Sequence, residues 1–255
     1  MTGSGEQGAA NLLGWYEAMG VDEAIGESPV NCFAPPPPER AAASRANRQP
    51  VSARPRPEAG SVAPASIEAA ATLTELEALV AEFEGCALKR TAKSLCFARG
   101  SGEARIMMIG EAPGRDEDLQ GKPFVGRAGQ LLDRMFDAIC LSEADVYITN
   151  TIYWRPPGNR TPTPQEVQAC APFLERQIEL LAPDILVLLG GAAAKHVLGV
   201  SEGIMRLRGK WLTYSCAGRA IPALATFHPA YLLRTPADKR YAWRDLLMLK
   251  AAIAR

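Results

Sequence analysis

The sequence predicts an α/β fold of three layers, in which a central, mostly parallel four-stranded sheet is covered by helices on both faces. Four apolar runs carry that expectation: Arg105 to Ile109 (RIMMI), Val146 to Thr149 (VYIT), Asp184 to Leu189 (DILVLL) and Ala223 to Phe227 (ALATF). They read as near-continuous hydrophobic stretches, as strands buried on both faces do. Helical patterns lie between them, and strands alternating with helices build parallel units. Each run is also followed at once by residues able to do chemistry, Glu111, Asn150, Gly190 and His228. Ligands of such sheets bind beyond the carboxyl ends of the strands, so these residues should share one mouth.

Along the chain, Leu12, Leu13, Tyr16 and Met19 stand at helical spacing with Glu17, Asp22 and Glu23 outside. Residues 1–33 therefore read as a short amphipathic helical segment that docks on the main domain or binds a protein partner. Residues 34–64, with Pro35 to Pro38, Pro50, Pro55, Pro57 and Pro64 amid Ala, Arg and Ser, read as a linker. The main domain is expected over residues 65–255. It opens with a helix from Ile67 to Phe83, with apolar residues three and four apart, which Gly85 would end. Thr163, Pro164 and Glu166 form a capping box that starts a long helix, and Pro183 closes it before DILVLL. Gly190-Gly191 opens a helix from Ala192 to Leu198, and a last helix runs from about Ala237 to Ile253.

The net charge of zero hides an uneven distribution. Residues 1–85 carry twelve acids against five arginines, whereas from Ile204 onward ten bases face only Asp238 and Asp245. That excess suits a polyanion and equally a solvated helix face. The sequence contains neither a bilayer-length apolar stretch nor a signal-peptide pattern, which predicts a cytoplasmic protein with no membrane partner. Cys32, Cys86, Cys96, Cys140, Cys170 and Cys216 show no CxxC pairing, so they read as mostly buried thiols.

Three stretches carry the candidate chemistry. Gly110-Glu111-Ala112-Pro113-Gly114 follows a strand, and Gly121 to Gly129 (GKPFVGRAG) opens a helix, so backbone N–H groups can approach a ligand there. The spacing excludes a P-loop, because six residues separate Gly114 from Gly121 and Lys122 precedes a proline. An ordinary tight turn would explain the glycines but not why Glu111, Asp116, Glu117 and Asp118 crowd a mouth that also holds Phe124. Asn150 and the proline-stiffened loop Arg155 to Arg160 form the second stretch; an amide offers both the donor and the acceptor that a pyrimidine edge requires. The third is His228-Pro229, followed by Tyr231, Leu232, Leu233 and Arg234, which supply apolar wedge candidates beside a phosphate-binding candidate. His196, on a short helix among Ala and Val, reads as structural.

In this order, GEAPGRDEDLQGKPFVGRAG, NTIYWRPPGNR and HPAYLLR resemble the uracil-DNA glycosylase superfamily, most closely its family 4, over about Leu76 to Ala254. The resemblance implies a monomer that flips deoxyuridine out of DNA and hydrolyses its N-glycosidic bond to begin base excision repair. It implies that Glu111 helps water attack, Asn159 helps position that water and His228 stabilises the leaving base. Ala112 and Glu117 would border the uracil, with Glu117 excluding a thymine methyl; Phe124 would stack on the base and Asn150 would hydrogen-bond its edge. Arg155, Arg160, Tyr231 and Arg234 would contact DNA, and Leu232 or a neighbour would fill the gap in the duplex.

Two departures from the family follow. Family 4 implies a 4Fe–4S cluster on four cysteines, but Phe83 and Trp154 stand at two of those positions and only Cys86 and Cys170 remain. Four thiolates are the rule for such clusters, so the expectation is no cofactor, with the two aromatics filling the volume. Cys96, expected in a strand, is a poor substitute. A related uracil-trapping branch carries a basic KRRIH-like insertion, whereas the loop here, RPPGNRTPT, has no histidine, which favours turnover. The alternatives are a uracil-DNA binding or trapping protein with little turnover and a non-enzymatic DNA-binding scaffold.

Overall fold

The computed structural model describes residues 64–253. The amphipathic segment and nearly all of the linker expected before residue 65 lie outside the described residues, as do Cys32 and Arg255. The single helix expected from Ile67 to Phe83 is two, α1 (Pro64–Ala69) and α2 (Leu73–Glu82). Thr72 makes the break: its hydroxyl accepts from the Glu75 N–H at 3.1 Å, while Glu75 accepts from the Ala71 N–H, so a new helix starts inside the apolar pattern.

The sheet then assembles from β1 (Arg99–Gly100), β2 (Ile106–Gly110), β3 (Val146–Asn150), β4 (Ile185–Leu189), β5 (Trp211–Cys216) and β6 (Arg219–Thr226). Its order is β1-β3-β2-β4-β6-β5. The four expected strands form the parallel centre, and an antiparallel strand closes each edge, making six strands rather than four. The edges escaped the apolar-run criterion because β1 is two residues long and β5 is half-exposed. β5 does alternate between exposed and covered positions, and Ala217 and Gly218, both at positive φ, turn it into β6. Pro222 is tolerated in β6 because pairing with β4 begins only at Ala223.

Between β2 and β3 run α3 (Arg115–Gln120) and α4 (Arg127–Asp137); α5 (Pro164–Leu181) leads into β4, and α6 (Gly191–Leu198) with α7 (Ile204–Leu207) leads into β5. α8 (Pro229–Arg234) and α9 (Lys239–Ile253) end the described chain. The expected capping box starts α5, with Thr163 and Glu166 bonded reciprocally at 3.3 and 2.8 Å. α9 starts at Lys239 rather than Ala237, because Pro236 to Asp238 form a 3₁₀ turn.

Side chains on alternate strand positions face opposite layers. Ile106 and Met108 pack with Leu132, Phe136, Leu246 and Leu249 from α4 and α9; Met107 and Ile109 pack with Leu174, Ile178 and Ala194 from α5 and α6. A third core, beyond the sheet edge, joins α1 and α2 to Ile152, Tyr153, Trp154, Cys170 and Phe173. The result is the three-layer α/β/α sandwich. Since the chain leaves β2 toward β3 on one side and returns to β4 on the other, the crevice at the strands' carboxyl ends opens around β2.

Candidate active site

At that crevice lies a cavity of about 440 Å³, lined by Glu111, Ala112, Glu117, Phe124, Asn159, Arg160, His228, Tyr231 and Arg234 among others. Ligand sites of small molecules commonly occupy roughly 300 to 1,000 Å³. Nine of the twelve residues singled out in the sequence therefore meet at one mouth. Asn150, Arg155 and Leu232 are not part of its lining.

Asn150 lies beneath it. The side chain is buried at 1% exposure, and neither its Oδ1 nor its Nδ2 has a hydrogen-bond partner. Leaving a buried polar group unpaired costs about 1 to 3 kcal/mol, so such a group calls for an explanation. Its neighbour across the β2–β3 pair is Gly110, where a Cβ would overlap both Asn150 Oδ1 and the Phe124 ring. The glycine is thus what brings amide and ring side by side, whereas the sequence suggested only a close approach of backbone N–H groups to a ligand. Phe124 itself is buried and holds a left-handed backbone (φ 55°), with its backbone against Gly129, so the turn into α4 needs a residue without a side chain there.

His228 caps α8. Its Nδ1 accepts from the Ala230 N–H at 3.1 Å, which leaves the ring proton on Nε2. Burial, aided by the charge of Arg234, lowers its pKa to about 4, so the imidazole is neutral at neutral pH. The ring lies 5.5 Å from that of Phe124. Glu111 is the opposite case: burial raises its pKa above the usual carboxylate value, and its backbone carbonyl is tied down by the Thr151 hydroxyl at 2.7 Å. Together they present a neutral donor and a weakly solvated carboxylate to one space.

The remaining residues hold the walls. The Glu117 carboxylate accepts from the N–H groups of Gly114, Val125 and Gly126 at 3.1, 3.0 and 2.9 Å, clamping the two glycine loops together. Asn159, also at positive φ (53°), accepts through Oδ1 from Arg155 Nε at 2.7 Å. Arg155 thereby supports Asn159 through Nε. Arg160 forks onto Glu166 at 2.9 and 2.6 Å, which draws the Glu166 carboxyl down to about 2. The Tyr231 hydroxyl donates to Asp238 at 2.6 Å while its ring stacks on Phe227. Leu232 corrects the wedge expectation: it is 1% exposed and packed in the core below α8, because the inward face of that helix must cover α4. Leu233, next in sequence, is the exposed leucine at 36%.

The positions that the family resemblance would give to a cluster converge as well. Phe83, Cys86, Trp154 and Cys170 share one buried core. Phe83 lies 6.5 Å from Trp154 and 4.9 Å from Phe173 between ring centroids. Cys170 is pushed well above the ordinary thiol range by its neighbour Cys86 and by burial. Two thiols and a packed aromatic trio do not fit a four-iron cluster, and among the described residues no group of three or more His, Cys, Asp and Glu side chains could hold a metal ion. Cys96 is in a loop rather than a strand, and its thiol donates to the Glu117 carbonyl at 3.1 Å.

Fold and cavity define a three-layer α/β/α domain with a cavity at the carboxyl ends of its parallel strands. The family model described as the Uracil DNA glycosylase superfamily matches residues 97–247, and the chain belongs to that superfamily. Within it, the chain is 43% identical over 155 residues to the type-4 uracil-DNA glycosylase of Archaeoglobus fulgidus, covering 59% of this chain and 78% of the relative. It is 39% identical over 180 residues to the type-4 enzyme of Saccharolobus solfataricus (69% and 83%), and 39% over 173 residues to that of Thermotoga maritima (67% and 88%).

Proposed function

We propose that this chain is a uracil-DNA glycosylase, a hydrolase that flips deoxyuridine from DNA and cleaves its N-glycosidic bond. The observation that carries this reading is the unpartnered amide of Asn150, buried beside Phe124, whose ring lies 5.5 Å from that of His228. An amide with a free donor and a free acceptor matches the adjacent acceptor and donor on a uracil edge, which would satisfy both atoms. Flipping a base costs a few kcal/mol, and stacking on Phe124 returns roughly 1 to 3 kcal/mol.

In the reaction, the bond between C1′ and N1 breaks and its electron pair passes to the uracil. His228 donates Nε2–H to the uracil oxygen on which that charge grows; the N–H of a neutral imidazole is a very weak acid, so it stabilises the departing anion by a hydrogen bond and keeps its proton. Water, oriented by Glu111 with Asn159, adds to C1′ and yields its proton to the Glu111 carboxylate, whose raised pKa suits a base. Arg234, at the rim, attracts a flanking phosphate, and Leu233 replaces Leu232 as the residue that enters the vacated stack. The protein acts as a cytoplasmic monomer and without an iron–sulfur cluster, since Phe83 and Trp154 occupy that space; no described helix is long and apolar enough to cross a membrane.

The test is an end-labelled oligonucleotide with one uracil, incubated with the protein and run on a denaturing gel with and without alkali. Cleavage only after alkali is the expected result. An intact strand in both halves would reduce the protein to a binder, and a shifted band that survives denaturation would make it a trap. Iron in stoichiometric amount after anaerobic purification would overturn the cluster-free reading.

A further inference from the structure

Asp245 is a carboxylate at 1% exposure that has no place in the cavity. It accepts from the Thr226 hydroxyl at 2.8 Å and from Arg208 Nη2 and Nε at 2.6 and 3.2 Å. Arg208 in turn donates to the Tyr241 carbonyl at 2.7 Å, and its guanidinium lies 5.6 Å from the Phe227 ring centroid and 5.1 Å from that of Tyr241. The carbonyl of Thr226 accepts from the Gly190 N–H at 2.8 Å. The carbonyl and the hydroxyl of Thr226 are therefore held, one by the end of β4 and the other by α9, two residues before His228. His228 also packs against the end of β4: a Cβ on Gly190 would stand 3.0 Å from His228 Cβ.

A buried ion pair is a poor source of stability, because desolvation offsets the attraction and apolar residues of equal volume often do as well. What a forked guanidinium held against two rings does supply is direction. We propose that Arg208 and Asp245 are positioning residues: acting through Thr226, they set where β6 ends and thereby where the His228 ring presents its Nε2–H. This rests on the role proposed above for His228. A donor aimed at charge that develops only in the transition state loses its effect with small displacements, so the pair acts on rate rather than on DNA binding.

The experiment uses the full chain with Thr226→Val, which keeps shape and removes the hydroxyl, and Thr226→Ser, which keeps the hydroxyl, each alone and with His228→Ala. Single-turnover excision, affinity for DNA carrying an uncleavable uracil nucleotide, and the imidazole ¹⁵N resonances of His228 are measured. Thr226→Val should lower the rate about tenfold, the scale of one lost hydrogen bond, with affinity unchanged within about twofold. Thr226→Ser should restore the rate, and in the His228→Ala background the valine should cause no further loss. A wild-type rate for Thr226→Val, or an undiminished tenfold loss when His228 is absent, would overturn the proposal. Should the wild-type protein excise nothing, the functional reading fails on its own; the His228 resonances still decide the positioning, expected to shift in the valine variant and overturning it if they do not.

Discussion

The two ends of the sheet make opposite kinds of cavity. At the amino ends of the strands lies the larger one, about 880 Å³, walled by Ala104, Ile106, Leu141, Ile185, Leu212 and the exposed Trp211. Two of its charged groups are already matched: Asp184 pairs with Arg105, and also with Arg219. The carboxyl-end cavity has half that volume, yet a neutral histidine and a carboxylate raised by burial line it, and an unpartnered buried amide lies beneath. Size does not mark the candidate site; unsatisfied polarity does. Strand ends explain the asymmetry, since the loops leaving the carboxyl ends all converge on one crevice and can each contribute a side chain.

The largest effect that would test this contrast is at His228. His228→Ala should lower single-turnover excision by about 10² to 10³, with affinity for uncleavable uracil-DNA changed by less than about threefold. Equal losses in rate and affinity would make His228 a binding group only. Next comes pH. Because burial raises the Glu111 pKa, its carboxylate is lost above the ordinary value of 4.5, and the rate should fall on the acid side with a limb above that value. Glu111→Gln should remove the limb with a loss of about 10², whereas His228→Ala should leave it; a limb that disappears with His228 instead would reassign it. The same histidine affects stability. Folded His228 binds its proton only near pH 4 and the unfolded chain near 6.5, so its stability is present above 6.5 and is lost as pH falls between those values. In urea unfolding, His228→Asn should flatten that window.

A smaller effect is expected in the aromatic core. Phe83→Ala should cost about 3 to 5 kcal/mol, seen as a lowered unfolding midpoint, because the ring packs on Trp154 and Phe173 with nothing to refill its place. An unchanged midpoint would mean that the aromatics are not what holds the third core together. The smallest lies at the other end of the sheet: Trp211→Ala, on the larger cavity, should leave excision within about twofold. A loss comparable to that at His228 would show that the amino-end cavity works too.

Much of the fold could be read because strands buried on both faces need long apolar runs, and the four central strands have them. β5 escaped because an edge strand with one wet face alternates, and β1 because two residues make no pattern. In the site, the residue types were legible and the roles were less so. Arg155 and Arg160 look alike in sequence as DNA contacts, yet one holds Asn159 and the other Glu166. Leu232 and Leu233 cannot be told apart until the helix is placed, when a rotation of about 100° per residue buries one and exposes the other. Arg208, Asp245 and Thr226 gave no signal, since their partners come from three separate stretches.

By itself the sequence determined the α/β layering, the end of the sheet at which the chemistry gathers, and the family, because apolar runs, strand-end residues and local motifs are properties of contiguous chain. Only the tertiary structure decided which side chains are free to act. Whether Asn150 is unpaired, whether His228 is neutral and whether Glu111 is a strong enough base depend on burial and on partners brought from far along the chain, and those quantities come into being only when the layers close.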